Sequence, residues 1–244
     1  MRAMIFAAGL GTRLRPLTDR MPKALVPILG KPLLLWQIEK LKDAGITRII
    51  INVHHKADQI IHYLQDNNYF GCDIRISDEQ DCLLETGGGL KKALNAFPAD
   101  EPILALNTDI LSTISLPHLI ASYQNETALL VVSERTTQRY LAFDPNLLLR
   151  GWTNTATGQV RPHEQDLADT RLLAFSGMQI LSPHITDYLN QIHTDKFSLI
   201  DLYMYLIEQK INVKAYLPTD YRMMDVGKIE QLSEVEQWAN LWLK

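Results

Sequence analysis

Glycines and cations follow the first apolar segment of the chain in a pattern suited to holding phosphate. Residues 3–8 form a short apolar run that predicts a buried strand, and Gly9, Gly11 and Thr12 come directly after it. Glycine permits a positive φ and lets backbone N–H groups approach phosphate oxygens closely. Ligands of open parallel sheets gather at the carboxyl ends of the strands, where this loop would lie. The sequence therefore predicts a phosphate-binding loop that begins at Ala8.

Two cations accompany the glycines of this loop. Arg13 lies within it, and Lys23 follows in a segment that prolines stiffen between residues 16 and 27. A guanidinium grips phosphate oxygens in a fork, whereas an ammonium acts as a movable point charge. Leu14 stands where a dinucleotide fingerprint needs its third glycine, and the spacing of a Walker A motif is also missing. A glycine turn with two solvated cations is the alternative, and the combined pattern disfavours it.

The loop and the lysine segment together resemble the signature of the sugar-1-phosphate nucleotidylyltransferase family. The matching stretches are Gly9-Leu10-Gly11-Thr12-Arg13-Leu14-x-Pro16-Leu17-Thr18 and Pro22-Lys23-Ala24-Leu25. The resemblance implies an enzyme that joins a nucleoside triphosphate to a sugar 1-phosphate and releases pyrophosphate. It implies Arg13 and Lys23 as the catalytic residues. It also implies that the nucleotide is contacted by Ala8, Gly9, Gly11, Thr12, Arg13, Lys23 and Asn107.

Two aspartates at the ends of predicted strands match the metal ligands of this family. Asp109 ends the stretch Asn107-Thr108-Asp109, and Asp225 stands just before the last predicted helix. Mg²⁺ prefers hard oxygen ligands and usually takes one or two carboxylates from a protein. The resemblance therefore implies a Mg²⁺ cofactor held by both side chains; a helix N-cap is the alternative role for an isolated aspartate. The family more often has glycine where Thr108 stands. This difference affects the lining of the site and leaves the two implied metal ligands unchanged.

The implied reaction requires neither a covalent nucleophile nor a general base. The attacking oxygen of a sugar phosphate is already anionic, so it can attack in line once charge repulsion is neutralised. Arg13, Lys23 and Mg²⁺ would supply that neutralisation. Catalysis then consists of positioning and electrostatic stabilisation.

Two further regions carry the predicted specificity. The stretch Leu-Glu-Thr-Gly-Gly-Gly at residues 84–89 matches the place where the family contacts the nucleobase, which assigns this role to Glu85, Thr86 and Gly87. A carboxylate suits the N–H donors of guanine, whereas uracil would more naturally use backbone groups, so these residues leave the base open. The sugar 1-phosphate is assigned to Ser176, Gly177 and Lys196, although an exposed lysine near a helix start is also common.

The combination of Leu-Glu-Thr-Gly-Gly-Gly with Phe-Ser-Gly, Lys-Phe and Asp-Val-Gly is similar to that of N-acetylmuramate-1-phosphate uridylyltransferases. This closer likeness implies UTP and N-acetylmuramate 1-phosphate as substrates, with a role in peptidoglycan recycling. Mannose-1-phosphate guanylyltransferase and phosphocholine cytidylyltransferase are the alternatives. A non-catalytic nucleotide-sensing subunit is disfavoured because such a protein would lose the charged residues, and Arg13, Lys23, Asp109 and Asp225 are all present.

Composition and charge exclude several other classes of protein. The chain has 244 residues, is 46% hydrophobic and 21% charged, and carries a formal net charge of −4. These values are typical of a soluble globular protein, and they leave no bulk basic field to attract nucleic acid. No apolar run reaches the ~18 residues that a membrane span needs, and Cys72 and Cys82 fit a reducing compartment. The sequence thus predicts a cytoplasmic monomer or small homo-oligomer without nucleic-acid or membrane partners.

Apolar strands alternate with amphipathic helices along the first half of the chain. This alternation predicts an α/β fold with a parallel sheet and helices on both faces. The resemblance narrows it to the Rossmann-like, mixed and mainly parallel sheet of the nucleotide-diphospho-sugar transferase fold. Gly87-Gly88-Gly89 is predicted to break the chain before a short helix at 90–96. The predicted strands of this half cover residues 3–8, 48–53, 72–77 and 103–106, and the longer predicted helices cover 33–44 and 57–65.

The second half reads as a less regular mixture of strands and helices. Short antiparallel strands are predicted between residues 141 and 160, and a closing amphipathic helix over 229–243. Without a repeat or a clear linker, residues 1–244 are expected to form one domain. Its nucleotide-binding half would end near residue 110, and its sugar-phosphate-binding half would follow. The structure and role of residues 136–169 stay open at this point.

Overall fold

The fold was obtained as a computed structural model that describes residues 1–163 and 167–243, which leaves Glu164 to Asp166 and Lys244 outside the described residues. The strands, numbered in chain order, are β1 (Arg2–Phe6), β2 (Pro27–Ile28), β3 (Lys31–Pro32), β4 (Arg48–Val53), β5 (Asp73–Asp78), β6 (Ile103–Asn107), β7 (Ile110–Ser112), β8 (Ala128–Ser133), β9 (Arg139–Phe143), β10 (Leu149–Asn154), β11 (Gln159–Arg161), β12 (Arg171–Leu181), β13 (Val213–Tyr216) and β14 (Met223–Asp225). The α-helices are α1 (Leu17–Arg20), α2 (Leu33–Asp43), α3 (Ala57–Asp66), α4 (Glu85–Ala96), α5 (Leu116–Ser122), α6 (Ile185–Gln191), α7 (Leu199–Glu208) and α8 (Leu232–Trp242).

The chain forms two compact units that interleave in sequence. The first unit consists of residues 1–83, 103–117 and 220–244, and the second of residues 84–102 and 118–219. This division differs from the predicted halves, which met near residue 110. Residues 84–102 belong to the second unit, and the chain returns to the first unit for its last segment.

A parallel sheet forms the centre of the first unit. In it β1 pairs with β4 and with β6, and β4 pairs with β5, all in parallel. The middle strands are almost continuously apolar, as in Ile49-Ile50-Ile51, because both faces of a parallel sheet are normally covered. Helix α2 follows the expected apolar stripe, since Leu34, Ile38 and Leu41 are fully buried.

A separate apolar cluster in the first unit anchors the loops that follow these strands. Leu14 is fully buried in it, so the glycine-rich loop is attached by a side chain of its own. Val226 is buried in the same cluster and anchors the segment after β14. Helix α8 contributes Val235 and Ala239. Helix α8, near the end of the chain, therefore packs in the same apolar cluster as Leu14 of the glycine-rich loop.

The second unit contains a mixed sheet. Strand β8 pairs in parallel with β13 and antiparallel with β12, and β9, β10 and β11 continue in antiparallel fashion from β12. The predicted short antiparallel strands between residues 141 and 160 are thus confirmed. The register of β12 against β8 shifts between Phe175 and Gln179, where Gly177 has a φ of 68°. Glycine tolerates that conformation without the steric cost that a Cβ brings.

The predicted break at Gly87-Gly88-Gly89 is wrong, because α4 begins at Glu85 and contains all three glycines. All three are buried. A Cβ added at Gly88 would lie 2.0 Å from the carbonyl oxygen of Asp195, and one at Gly87 would lie 2.5 Å from the ring of Phe197. Close packing therefore demands glycine inside this helix and overrides its low helix propensity.

The other predicted strands and long helices are present with shifts of a few residues at their ends. The sequence did not predict six short elements, namely α1, β2, β3, β7, α5 and β14. Strands of three residues carry too little hydrophobic periodicity to be recognised. Among the described residues, none of the helices is both long enough and apolar enough to cross a bilayer.

Candidate functional site

Strands β7 and β14 bring the two predicted metal ligands together in the first unit. The antiparallel register places Asp225 opposite Ile110, the residue after Asp109. The N–H of Val226 also donates to the carbonyl oxygen of Asp109 at 2.9 Å. Two carboxylates that are far apart in the sequence thereby become neighbours, as expected if both act on one ligand.

Lys23 lies beside this pair. Its Nζ donates to Oδ2 of Asp109 in an ion pair whose side chains are only 13% and 26% exposed. A short 3₁₀ helix from Lys23 to Leu25, entered through the extended Pro22, sets the direction of the side chain. The ammonium therefore already faces the carboxylate that was predicted to bind a metal.

Arg13 lies against the segment after Asp225. If Gly227 carried a Cβ, this atom would be 3.0 Å from Oδ1 of Asp225 and 3.3 Å from a terminal nitrogen of Arg13. The guanidinium and the second carboxylate thus approach the same glycine. Gly227 was not among the predicted site residues, although it belongs to the quoted Asp-Val-Gly segment. The first unit consequently gathers Arg13, Lys23, Asp109 and Asp225 into one charged cluster.

The two glycines of the loop have different structural roles. Gly11 has a φ of +64°, and a Cβ there would lie 2.8 Å from Cγ2 of Thr18 and 3.0 Å from Cβ of Lys23. The hydroxyl of Thr18 also donates to the carbonyl oxygen of Gly11 at 2.9 Å, which closes the turn. At Gly9, by contrast, an added Cβ would meet no atom within 4 Å in the described part of the chain. Gly11 is therefore needed by the fold, and Gly9 leaves open space that a phosphate could use.

We expect Gly9→Ala and Gly11→Ala to separate these two roles. Gly11→Ala should lower the free energy of unfolding by about 1–3 kcal/mol, because it combines a left-handed backbone with a steric clash. Gly9→Ala should leave the melting temperature unchanged and raise the KM for the nucleoside triphosphate by about tenfold. Thermal unfolding and steady-state kinetics of both variants test this. An unchanged KM in Gly9→Ala would argue against phosphate lying at Gly9.

A buried polar network that the sequence analysis missed supports the start of the loop. Asn52 accepts the N–H of Ala7 at 2.8 Å through Oδ1 and donates through Nδ2 to Oε1 of Glu79 at 2.7 Å. Glu79 is fully buried, and Nδ1 of His54 lies 2.6 Å from its carbonyl oxygen. A buried polar group is costly unless it is hydrogen-bonded, so these hydrogen bonds hold the network in a defined arrangement. Asn52 could have indicated this network from the sequence alone, because it is a polar residue that follows the apolar run Ile49-Ile50-Ile51 within one strand.

Thr108, which stands where the family more often has glycine, is held in place by hydrogen bonds to β1. Its N–H and its hydroxyl both donate to the carbonyl oxygen of Phe6, at 3.3 Å and 2.5 Å. The side chain is thereby turned back onto β1. Asn107, the predicted nucleotide contact, ends β6 in register with Phe6. Threonine at position 108 therefore does not interfere with the predicted role of the neighbouring Asp109 as a metal ligand.

In the second unit, Glu85 has a strained backbone and an exposed side chain. Its φ is 62°, which is uncommon for a residue with a Cβ. Such strain persists only where the surroundings enforce it, and it is often found at functional sites. Thr86 differs, because its hydroxyl oxygen accepts the N–H of Leu199 at 3.0 Å. Of the two neighbours, Glu85 is the one whose side chain faces solvent.

Glu85→Gly is expected to stabilise the fold while it weakens nucleotide binding. The left-handed conformation costs a residue with a Cβ about 1–2 kcal/mol, part of which glycine recovers. The net gain should reach about 0.5–1 kcal/mol in the free energy of unfolding. Glu85→Gln keeps the backbone strain and serves as the control for the charge alone. Chemical denaturation and the KM for the nucleotide are the measurements. A loss of stability in Glu85→Gly would refute the claim that the backbone conformation of Glu85 destabilises the fold.

The predicted sugar-phosphate residues lie in two places within the second unit. Ser176 is 1% exposed, and its hydroxyl donates to that of Ser133 at 3.3 Å within the β8–β12 pair. Gly177 follows it in the shifted register of β12. Lys196 is exposed just before α7. Its ammonium is therefore accessible to a phosphate, whereas the side chain of Ser176 is turned into the sheet.

The carboxylates of the first unit fit a hard divalent cation. Asp109 and Asp225 supply oxygen ligands of the kind and number that Mg²⁺ usually takes from a protein. Within residues 1–163 and 167–243, no group of three or more His, Cys, Asp or Glu side chains forms a metal site. The predicted Mg²⁺ would therefore rely on two carboxylates, with water and substrate phosphate completing its shell.

Comparison with known proteins identifies the class to which this fold and this charged cluster belong. The sequence pattern of the family described as nucleotidyl transferase matches residues 2–143, and the chain belongs to this family. It is an enzyme of the sugar-1-phosphate nucleotidyltransferase type. The predicted recognition of the family and the predicted nucleotide-diphospho-sugar transferase fold, with a mixed, mainly parallel sheet, are both confirmed.

Three individual proteins illustrate the similarity. The N-acetylmuramate alpha-1-phosphate uridylyltransferase of Neisseria meningitidis serogroup B is 32% identical over 243 residues, which is 99% of this chain and 100% of that protein. The UTP–glucose-1-phosphate uridylyltransferase of Synechocystis sp. is 29% identical over 240 residues, and the match spans 94% of this chain but only 61% of that protein. The crystal structure of HddC from Yersinia pseudotuberculosis complexed with GMP-PN is 25% identical, with a TM-score of 0.77 over 97% of this chain and 98% of that one.

Proposed function

We propose that the protein transfers the uridylyl group of UTP to N-acetylmuramate 1-phosphate and releases pyrophosphate. The charged cluster of Arg13, Lys23, Asp109 and Asp225 is the observation that carries the reaction class. The choice of substrates is supported by the 32% identity to the Neisseria uridylyltransferase along the whole of both chains. A cytoplasmic location and a role in peptidoglycan recycling belong to the same proposal.

The residues of the first unit would act by positioning and by charge. Backbone N–H groups from Ala8 to Thr12 would hold the triphosphate, and Arg13 would grip its oxygens in a fork. Lys23 would offset the negative charge that accumulates in the transition state. Asp109 and Asp225 would hold a Mg²⁺ ion, which when bound supplies further neutralisation of the phosphate oxygens.

The second unit would supply recognition. Glu85, Thr86 and Gly87 would contact the base, and Lys196 would meet the phosphate of the sugar 1-phosphate. The exposed Lys196 ammonium is a suitable partner for a phosphate dianion. Ser176 and Gly177 would line the sugar side through the altered backbone of β12.

Guanylyl transfer to mannose 1-phosphate is the second candidate. The exposed carboxylate of Glu85 favours it, because N1–H and the amino group of guanine are both donors. The similarity to HddC, whose structure is complexed with GMP-PN, supports a guanine nucleotide in the same way. No comparable feature of the described residues favours phosphocholine as the acceptor.

Pyrophosphate release across four nucleoside triphosphates and a panel of sugar 1-phosphates tests these alternatives. The panel includes N-acetylmuramate, glucose and mannose 1-phosphates, and phosphocholine serves as a further acceptor. A preference for UTP with N-acetylmuramate 1-phosphate, measured as kcat/KM, is the expected result. A preference for GTP with mannose 1-phosphate would replace the first candidate by the second. Turnover with phosphocholine alone would overturn both.

A further inference from the structure

The start of α4 and the segment before α7 are joined by backbone hydrogen bonds within the second unit. The helix starts cap one another, since each provides the partner for N–H groups that a helix leaves unpaired at its first turn. The bonds run from the N–H groups of Gly87 and Gly88 to the carbonyl oxygen of Phe197, at 2.9 Å and 3.1 Å, from the N–H of Phe197 to the carbonyl oxygen of Leu84 at 3.2 Å, and from the N–H of Leu199 to Oγ1 of Thr86 at 3.0 Å.

Close packing reinforces these bonds. Phe197 is 4% exposed, and its ring occupies the position that a side chain at Gly87 would need. The carbonyl oxygen of Asp195 lies where a Cβ of Gly88 would be. The residues on both sides of Lys196 therefore rest directly on the backbone of α4.

The first turn of α7 is fixed by side chains as well. Ser198 and Asp201 form a reciprocal capping box, and Arg161 donates to the Asp201 carboxylate at 2.7 Å. Burial alone would raise the pKa of Asp201, but the hydrogen bonds from Ser198 and Arg161 lower it below its ordinary value. The helix that follows Lys196 consequently has a well-defined start.

We propose that Thr86 and the Gly87-Gly88 pair are positioning residues for Lys196. The turn that was predicted to read the nucleobase would then also hold the lysine that meets the sugar phosphate. This inference rests on the proposed function of Lys196 and extends it, because it links recognition of the two substrates through one hydrogen-bonded structure. The hydroxyl of Thr86 faces the N–H of Leu199, so its loss disturbs the sugar-phosphate side first.

Thr86→Val tests the inference, because valine keeps the shape of threonine and removes the oxygen that accepts the N–H of Leu199. We expect a roughly tenfold rise in the KM for the sugar 1-phosphate, and this rise should exceed any rise in the KM for the nucleotide. The amide of Leu199 should exchange with solvent about ten times faster, as a hydrogen-exchange measurement on the free protein would show. Thr86→Ser keeps the acceptor oxygen and should restore both quantities.

Several outcomes would overturn the inference. A rise in the nucleotide KM alone would make Thr86 a base contact with no effect on Lys196. Unchanged kinetics together with unchanged exchange at Leu199 would show that the bond does not position the segment. A sugar-phosphate KM that stays high in Thr86→Ser would assign the effect to side-chain shape.

Failure of the proposed function would look different. Lys196→Ala with an unchanged KM for the sugar 1-phosphate would remove the role of the lysine, and it would overturn the coupling to that lysine as well. A rise of the same KM in Thr86→Val would then have to be assigned to a route that does not involve Lys196. Absence of pyrophosphate release in the wild-type protein would refute the activity. The exchange of the Leu199 amide in Thr86→Val would then decide by itself whether Thr86 holds the segment.

Discussion

Asp109→Asn and Asp225→Asn should each reduce kcat by about 1000-fold or more, with the fold intact. Each change removes one of the two neighbouring carboxylates that β7 and β14 bring together. Asparagine keeps the size of aspartate but lacks the charge that a divalent cation needs. Asp66→Asn, at the exposed end of α3, is the matched control and should behave like the wild-type protein.

The measurement is pyrophosphate release at saturating substrates, with circular dichroism to confirm folding. Removal of divalent cations by a chelator should abolish turnover, and added Mg²⁺ should restore it in the wild-type protein but not in the two variants. Wild-type-like activity in either variant would refute the metal assignment. Activity that persists in the chelator would refute the need for a metal.

Lys23→Ala should reduce kcat by about 100- to 1000-fold, because it removes a positive charge of low exposure that is proposed to face the reacting phosphates. It also leaves the partly buried carboxylate of Asp109 without its ion-pair partner. We therefore expect a fall of about 1 kcal/mol in the free energy of unfolding as well. Lys31→Ala, which breaks the ion pair of Lys31 with Glu39 in the same unit, is the control for the loss of a lysine.

Comparison with Lys196→Ala separates the two lysines by substrate. At saturating sugar 1-phosphate, Lys196→Ala should retain most of its turnover, because its effect is on binding. Lys23→Ala should stay slow at every substrate concentration. Equal and small losses in both variants would contradict the roles assigned to them.

The sequence was most informative where a local pattern has one physical solution. Gly11 was expected in the phosphate loop, and the structure explains it by a positive φ and by the closeness of Thr18 and Lys23. The apolar strand Arg48–Val53 was predicted with its observed bounds. Patterns of this kind depend on neighbouring residues alone, so they can be read directly.

Residues that act through distant partners were harder to predict. The glycines of α4 were interpreted as a break in the chain before a short helix, since nothing near them in the sequence reveals that Asp195 and Phe197 pack on them. Glu79 was missed for a similar reason, because its partner Asn52 belongs to another strand. Burial in the folded protein, which a local pattern does not contain, decides both cases.

The sequence by itself determined the family, and it predicted the phosphate loop and the charged residues of the site, because these inferences depend on residue types within short motifs. Only the tertiary structure decided that Asp225 lies beside Asp109, since the short strands β7 and β14 that pair them leave no periodic signal. It also decided that Phe197 and Leu199, which follow Lys196, are hydrogen-bonded to the start of α4. Long-range strand pairing and backbone packing join segments that the linear chain keeps apart, and these contacts place the charges at which the chemistry is proposed to occur.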